Sequence, residues 1–240
     1  MRIIDEQAIK GMGMTSQRTR DRLIDRLQQK GISNLDVLRI MRRVPRHLFV
    51  DEAMSSRSYE DASLPIGHGQ TISQPYIVAR MTELLIEHVE NLDNVLEIGT
   101  GSAYQAAILG GLVKNLHTVE VIPELYRHSR DLLYKLGYRN IRTHLGDGSW
   151  GWKEAAPYDA IIVTAAPDEI PKALIEQLKD GASMIIPVGA QNSTQKLQIV
   201  TRKNKNDISV TEHESVVFVP FVSSEQKSYK KTLYVYLYFV

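Results

Sequence analysis

From Asn94 onward, short apolar runs rich in β-branched residues alternate with stretches of helical periodicity. That alternation is the sequence sign of a parallel sheet covered by helices on both faces, and it constrains the fold more than any other feature of the chain. Strands are predicted at 95–99, 117–121, 141–146, 158–164, 183–188, 197–201 and 216–220, with helices clearest between the first five. The first four are nearly continuous apolar runs, as expected for strands buried on both faces. Residues 203–207 read as a hairpin turn, which predicts that the last two strands are antiparallel. The expected fold is α/β, a doubly wound, mostly parallel seven-stranded sheet.

Ahead of the sheet, Leu23, Ile24 and Leu27 recur at helix spacing, Gly31 stops that helix, and Val37, Leu38 and Met41 begin another that ends near Val44-Pro45. This predicts a small helical N-terminal cap. Pro65, Gly67 and Gly69 mark a loop, and Ser73-Gln74-Pro75 opens a further helix running to about His88, with Pro75 suited to the first turn.

Composition narrows the function classes. The chain has no cysteine, which excludes thiolate nucleophiles and Cys-type metal sites and fits a reducing compartment. Its seven histidines fall into no metal-ligand spacing, so no metal is expected. A formal net charge of +1 gives no field to draw the chain onto nucleic acid or an anionic membrane. The arginines at 18, 20, 22 and 26 alternate with Asp21 and Asp25 and read as a solvated helix face. No apolar run approaches the roughly 18 to 20 residues that span a bilayer, and no secretory signal pattern follows Asp5 and Glu6, so the expected setting is the cytoplasm.

The chemistry centres on VLEIGTGSAY, residues 95–104, a strand that runs into a glycine-rich turn and then a helix. Ligands of open α/β sheets bind at the carboxyl ends of such strands, where glycine lets backbone approach closely and free N–H groups favour an anion. A dinucleotide fingerprint needs a small residue where Tyr104 stands, and no G-x-x-x-x-G-K-[ST] run occurs. What remains is similar to the E-x-G-x-G loop of methyltransferases that use S-adenosylmethionine. Glu120 ends the next strand, where a carboxylate can accept from both ribose hydroxyls, and Asp147-Gly148 ends the third, where adenine would lie. Taken singly, Glu97, Glu120 and Asp147 read equally well as capping acids; their placement at three successive strand ends favours a cofactor site.

Three further segments carry a resemblance: LPIGHGQTISQP at 64–75, Gly146-Asp147-Gly148, and APYDAIIVTAAP at 156–167. With the glycine loop, they make residues 16–221 closely similar to the protein-L-isoaspartate(D-aspartate) O-methyltransferase family. The resemblance implies a Rossmann-like class I S-adenosylmethionine-dependent methyltransferase. It would transfer a methyl group to the free carboxylate of L-isoaspartyl and D-aspartyl residues in damaged proteins and peptides, starting their repair through a succinimide. The alternative is a methyltransferase with a small-molecule or RNA acceptor.

The resemblance also assigns the site. Ser73 would be catalytic, with Thr71 and Ile72 beside it against the cofactor; Gly99, Thr100, Gly101 and Ser102 would line the methionine side, Glu120 take the ribose, and Asp147 and Gly148 border adenine. The chain then divides into a cap with the active-site loop at 1–90, a methyltransferase core at 91–222 and a tail at 223–240. A carboxylate is already ionised at neutral pH, so it can attack a sulfonium methyl without a general base, which suits a site of hydroxyls and backbone amides. Ser73 also reads as a helix N-cap two residues before Pro75. The segment Thr164-Ala165-Ala166-Pro167 lacks the Asp/Asn-Pro-Pro-aromatic pattern of base-amine methyltransferases.

Two departures from the family stand out. Ala103 occupies a usual glycine position, and positive φ there would cost about 1 kcal/mol, although cofactor binding is expected to survive. The aromatic, alternating segment 233–240 is longer than expected, and is read as an edge strand, a self-association element on an otherwise monomeric protein, or a plain extension.

Overall fold

The computed structural model describes residues 4–191 and 193–222, so the expectations for the tail at 223–240 lie outside the described residues. The chain opens with α1 (Glu6–Lys10), α2 (Gln17–Gln29) and α3 (Leu35–Arg43). Gly31, at φ +98°, turns the chain out of α2, and the Ile32 amide closes back onto the Leu27 carbonyl at 3.1 Å. Asn34 caps α3 by accepting the Asp36 and Val37 amides at 3.0 and 3.1 Å. A short antiparallel hairpin, β1 (Leu64–Pro65) and β2 (Thr71–Ile72), leads into α4 (Pro75–Glu87).

The sheet comprises β3 (Asn94–Ile98), β4 (Asn115–Glu120), β5 (Ile141–Leu145), β6 (Tyr158–Val163), β7 (Leu178–Val188), β8 (Gln195–Asn204) and β9 (Asp207–Val216), with α5 (Tyr104–Gly110), α6 (Pro123–Lys135) and α7 (Lys172–Glu176) in its connections. Among the described residues, the strand order is β5-β4-β3-β6-β7-β8-β9. The first five in that order run parallel, and β8 and β9 are antiparallel to their neighbours. The chain begins at β3, builds to one edge through β4 and β5, then returns to lay β6 on the other side of β3. The carboxyl ends of β3 and β6 thus flank the point where the strand order reverses, the place where open α/β sheets bind ligands.

Alternate residues of the central strands feed two apolar clusters. Val95, Ala160, Ile162 and Ile185 pack with Leu84 and Leu85 of α4 and with Leu23, Leu27, Val37 and Met41, so the cap shares one core with one face of the sheet. Leu96, Ile161, Val163, Met184 and Ile186 pack with Leu174 on the other face. Every residue of β6 is buried, which accounts for its nearly continuous apolar reading, broken only by Asp159.

Three expectations need correction. The seventh strand is Asp207–Val216, not 216–220; its outer residues are polar or exposed, so an apolar search passes over it. The crossover from β5 to β6 carries only the 3-10 turns Gly148–Trp150 and Lys153–Ala155, without an α-helix. Finally, Arg20 is not part of a solvated face: it is 3% exposed and donates to the Ile9, Lys10 and Arg43 carbonyls, tying α1 to the cap, while Arg18, Arg22 and Arg26 remain exposed.

Candidate active site

The turn after β3 is held in a conformation that glycine makes possible. Gly99 has φ +95°, and a Cβ on it would lie 2.4 Å from Thr164 Oγ1, a hydroxyl that donates to the Gly99 carbonyl at 2.6 Å. The Gly99 and Thr100 amides both reach the Val119 carbonyl, at 2.9 and 3.2 Å, and so tie the turn to β4. Beneath the turn, Thr100 Oγ1 lies 2.7 Å from Thr118 Oγ1, and the Thr118 hydroxyl donates to Glu97 Oε2 at 2.5 Å. Burial pushes the Glu97 carboxyl up to about 8, against the opposing pull of Thr118, so it is protonated at neutral pH. Ala103 follows with φ +69°, the left-handed conformation that would have suited glycine, and is fully buried.

Glu120, at the end of β4, turns its carboxylate toward the glycine turn. Oε2 accepts the Gly101 amide at 2.7 Å, and Oε1 accepts the Val121 and Ile122 amides at 3.0 and 2.9 Å. At the end of β5, Asp147 accepts the Ser149 amide and hydroxyl at 2.9 and 2.7 Å and caps the following 3-10 turn. Gly148 has no room for a side chain, since a Cβ would meet Ile98 Cγ2 at 2.4 Å and Phe221 Cζ at 3.3 Å.

The segment 70–73 approaches from the cap side. The hairpin of β1 and β2 closes through Gly67, His68 and Gly69, all at positive φ, and the Ile66 amide donates to the Gln70 carbonyl at 3.0 Å. Ser73 is not the cap of α4. Gln74 occupies that position without a side-chain cap, and Asp61 serves instead, accepting the Tyr76 amide at 2.8 Å. Among the described residues, the Ser73 hydroxyl forms no hydrogen bond.

These parts meet in one cleft. Thr71, Ile72, Ser73, Gly99, Thr100, Gly101, Ser102, Glu120 and Gly148 all line it, whereas Asp147 stands behind Gly148 and does not. Its free space, counting the open mouth and the solvent in it, is about 760 Å³. Further lining residues escaped the sequence reading. Thr164 and Ala165, at the end of β6, were findable from their place beside the reversal of strand order. Tyr104 and Gln105 face the cleft from the start of α5. The stretch from Val219 to Val222 had no such signal. It returns from β9, pairs with Ala166 through bonds of 2.9 Å at Val219 and Phe221, and closes one wall.

A family model for protein-L-isoaspartate(D-aspartate) O-methyltransferase matches residues 18–226. The chain belongs to this family. Protein-L-isoaspartate O-methyltransferase of Cellvibrio japonicus is 51% identical over 217 residues, covering 90% of this chain and 96% of the relative. A Nitrosococcus oceani relative of the same name is 53% identical over 213 residues, covering 88% and 99%. A solved protein-L-isoaspartate O-methyltransferase superposes with a TM-score of 0.76 at 28% identity, covering 84% of this chain and 65% of that one. A Plasmodium falciparum structure of the same description, in complex with S-adenosyl-L-homocysteine, has a TM-score of 0.73 at 24% identity over 85% of this chain and 98% of its own, and supports the fold. Among the described residues, no helix is long and apolar enough to cross a membrane.

Proposed function

We propose that this isoaspartate methyltransferase uses its cleft to bring S-adenosylmethionine and the free carboxylate of an L-isoaspartyl or D-aspartyl residue together, and that the resulting ester starts repair of a damaged protein through a succinimide. The observation that carries this reading is the meeting of the glycine turn, Glu120 and segment 70–73 around one cleft. The names of relatives at 51–53% identity disfavour a small-molecule or RNA acceptor.

The residues present fit the cofactor. Gly99 and Gly148 hold positions where a Cβ would collide, leaving backbone to form the wall, and Glu120 offers an acceptor carboxylate beside the turn. When bound, S-adenosylmethionine supplies an electrophilic sulfonium methyl. In this reading, Gly99, Thr100, Gly101 and Ser102 hold the amino-acid end, Glu120 accepts from the ribose hydroxyls, and Gly148, with Asp147 behind it, borders adenine. Thr71 and Ile72 form the wall between cofactor and acceptor, and the free hydroxyl of Ser73 donates to the acceptor carboxylate.

That carboxylate is ionised at neutral pH and needs no base. The protein's contribution is therefore alignment and exclusion of water, and alignment of this kind is worth on the order of 7 to 11 kcal/mol in well-oriented systems. The cysteine-free composition supports a reducing setting, and the cytoplasm is part of this proposal. So are the division at 1–90, 91–222 and 223–240 and a monomeric state. The test is transfer of label from S-adenosylmethionine to paired isoaspartyl and aspartyl peptides. A base-labile ester on the isoaspartyl member alone is expected; equal labelling of both, or a base-stable product, overturns the reading.

A further inference from the structure

Behind the acceptor end of the cleft lies a buried cation that forms no ion pair among the described residues. Arg46 follows Pro45 in the 3-10 turn Arg46–Phe49 and is fully buried. Its Nε donates to the Ser58 carbonyl at 2.8 Å, while Nη2 donates to the Ala62 carbonyl at 3.4 Å and the Ser73 carbonyl at 2.9 Å. The guanidinium carbon lies 4.7 Å from the centroid of the Tyr104 ring. Both Ser73 and Tyr104 line the cleft, so Arg46 backs two of its wall residues at once. Arg46 Nη1 and the Tyr104 hydroxyl are both buried without a hydrogen bond of good geometry, and the two side chains act on each other electrostatically across this contact.

Among the described residues, Arg46 has no ion pair. Asp61, close in sequence to two of its carbonyl partners, is already committed, with one oxygen on Lys30 Nζ at 2.5 Å and the other on the Tyr76 amide at 2.8 Å. Burial pushes the guanidinium down to about 10, which leaves it protonated at neutral pH. An unpaired buried cation is an expensive way to fill space, and an apolar side chain of similar size would pack there at lower cost. The planar fork of Arg does what a point charge does not, since it can hold several carbonyls in one fixed geometry.

We propose that Arg46 is a positioning residue for the acceptor side: its guanidinium fixes the Ser73 backbone and gives the adjoining cleft a positive field that favours an acceptor bearing a free carboxylate. This rests on the reading of the cleft as a carboxyl methyltransferase site. The field acts through a water-poor wall, where screening is weak. It also acts unevenly along the reaction. The acceptor carboxylate is fully charged when it binds and loses that charge as the ester forms, so the field strengthens substrate binding more than the methyl transfer itself. The backbone clamp acts on geometry, and hence on turnover.

Two substitutions separate these roles. Arg46→Gln removes charge and fork, whereas Arg46→Lys keeps the charge and loses the fork. With S-adenosylhomocysteine present, calorimetry compares an otherwise uncharged isoaspartyl peptide with the same peptide amidated at that carboxylate. The wild-type protein is expected to prefer the carboxylate form, and Arg46→Gln to weaken that preference about tenfold while leaving affinity for S-adenosylhomocysteine unchanged. Arg46→Lys is expected to keep the preference and the peptide KM while kcat falls, and Arg46→Met, an apolar side chain of similar length, replaces Arg46→Gln in the charge comparison if that variant does not fold. The proposal is overturned by a wild-type protein indifferent to amidation, by Arg46→Gln retaining the full preference, by Arg46→Lys with wild-type kcat, or by parallel loss of peptide and cofactor affinity. Failure of the wild-type protein to esterify the isoaspartyl peptide is a separate result, which removes the reaction without touching the binding comparison.

Discussion

Glu120 and Gly101 are joined by a 2.7 Å hydrogen bond that crosses from the end of β4 to the turn after β3. The same carboxylate accepts two amides of its own strand end, so it holds the turn and the start of the next connection in one geometry. Glu120→Ala leaves three backbone donors without that acceptor. It also removes the carboxylate proposed to accept from the ribose hydroxyls, and losing a charged acceptor costs about 1.5 to 3 kcal/mol, so the Kd for S-adenosylhomocysteine is expected to rise by about tenfold to a hundredfold. Calorimetry on a folded variant checks this, and an unchanged Kd would separate Glu120 from the cofactor.

Ser73→Ala should lower kcat/KM for the isoaspartyl peptide by about tenfold, the scale of one hydrogen bond to a charged group, with little change in cofactor Kd. The helix it precedes is capped by Asp61, so stability should hold. Steady-state kinetics beside a thermal melt make the comparison, and a wild-type kcat/KM would leave Ser73 without a role.

Ala103 sits at φ +69° in a fully buried position. Ala103→Gly relieves a strain of about 1 kcal/mol, offset in part by the greater freedom of glycine in the unfolded chain. A rise in Tm of a few degrees is expected, with cofactor affinity preserved. A fall in Tm would place the strain elsewhere.

Glu97 makes stability depend on pH. Its pKa is raised from 4.5 to about 8 in the folded chain, so the folded state holds this proton more tightly than the unfolded one. Between those two values stability therefore falls as pH rises, by about 1 kcal/mol per pH unit, and above the upper value the loss is constant. Glu97→Gln stays neutral and can still accept from Thr118. Its advantage in Tm over the wild-type protein should be small at pH 4.5, grow toward pH 8 and then level off. An equal difference at pH 5 and pH 9 would contradict the buried neutral carboxyl.

The sheet was legible because its central strands are buried on both faces and so carry nearly continuous apolar runs, as Val95 to Ile98, interrupted by Glu97, and Tyr158 to Val163, interrupted by Asp159, do. The glycine turn was legible because backbone geometry there selects residue type. What was not legible was set by partners distant in sequence. β9 pairs with β8 through backbone while its exposed Ile208, Val210 and Glu212 follow no burial pattern. Arg20 reads as one cation in a charged helix until its carbonyl partners in α1 are seen. Asp147 fills the capping role that its place at the end of β5 also allowed, accepting the Ser149 amide, while Gly148 lines the cleft.

The wall formed by Pro220 and Phe221 has a consequence for motion. These residues are only four and five positions beyond the end of the edge strand β9, and they are held to Ala166 on the cleft side. A molecule filling the cleft presses on a lever whose other arm is the hairpin at the far margin of the sheet. Opening of that hairpin and departure of the ligand then become thermodynamically linked, so amides in 195–216 should exchange with solvent more slowly when the cleft is full.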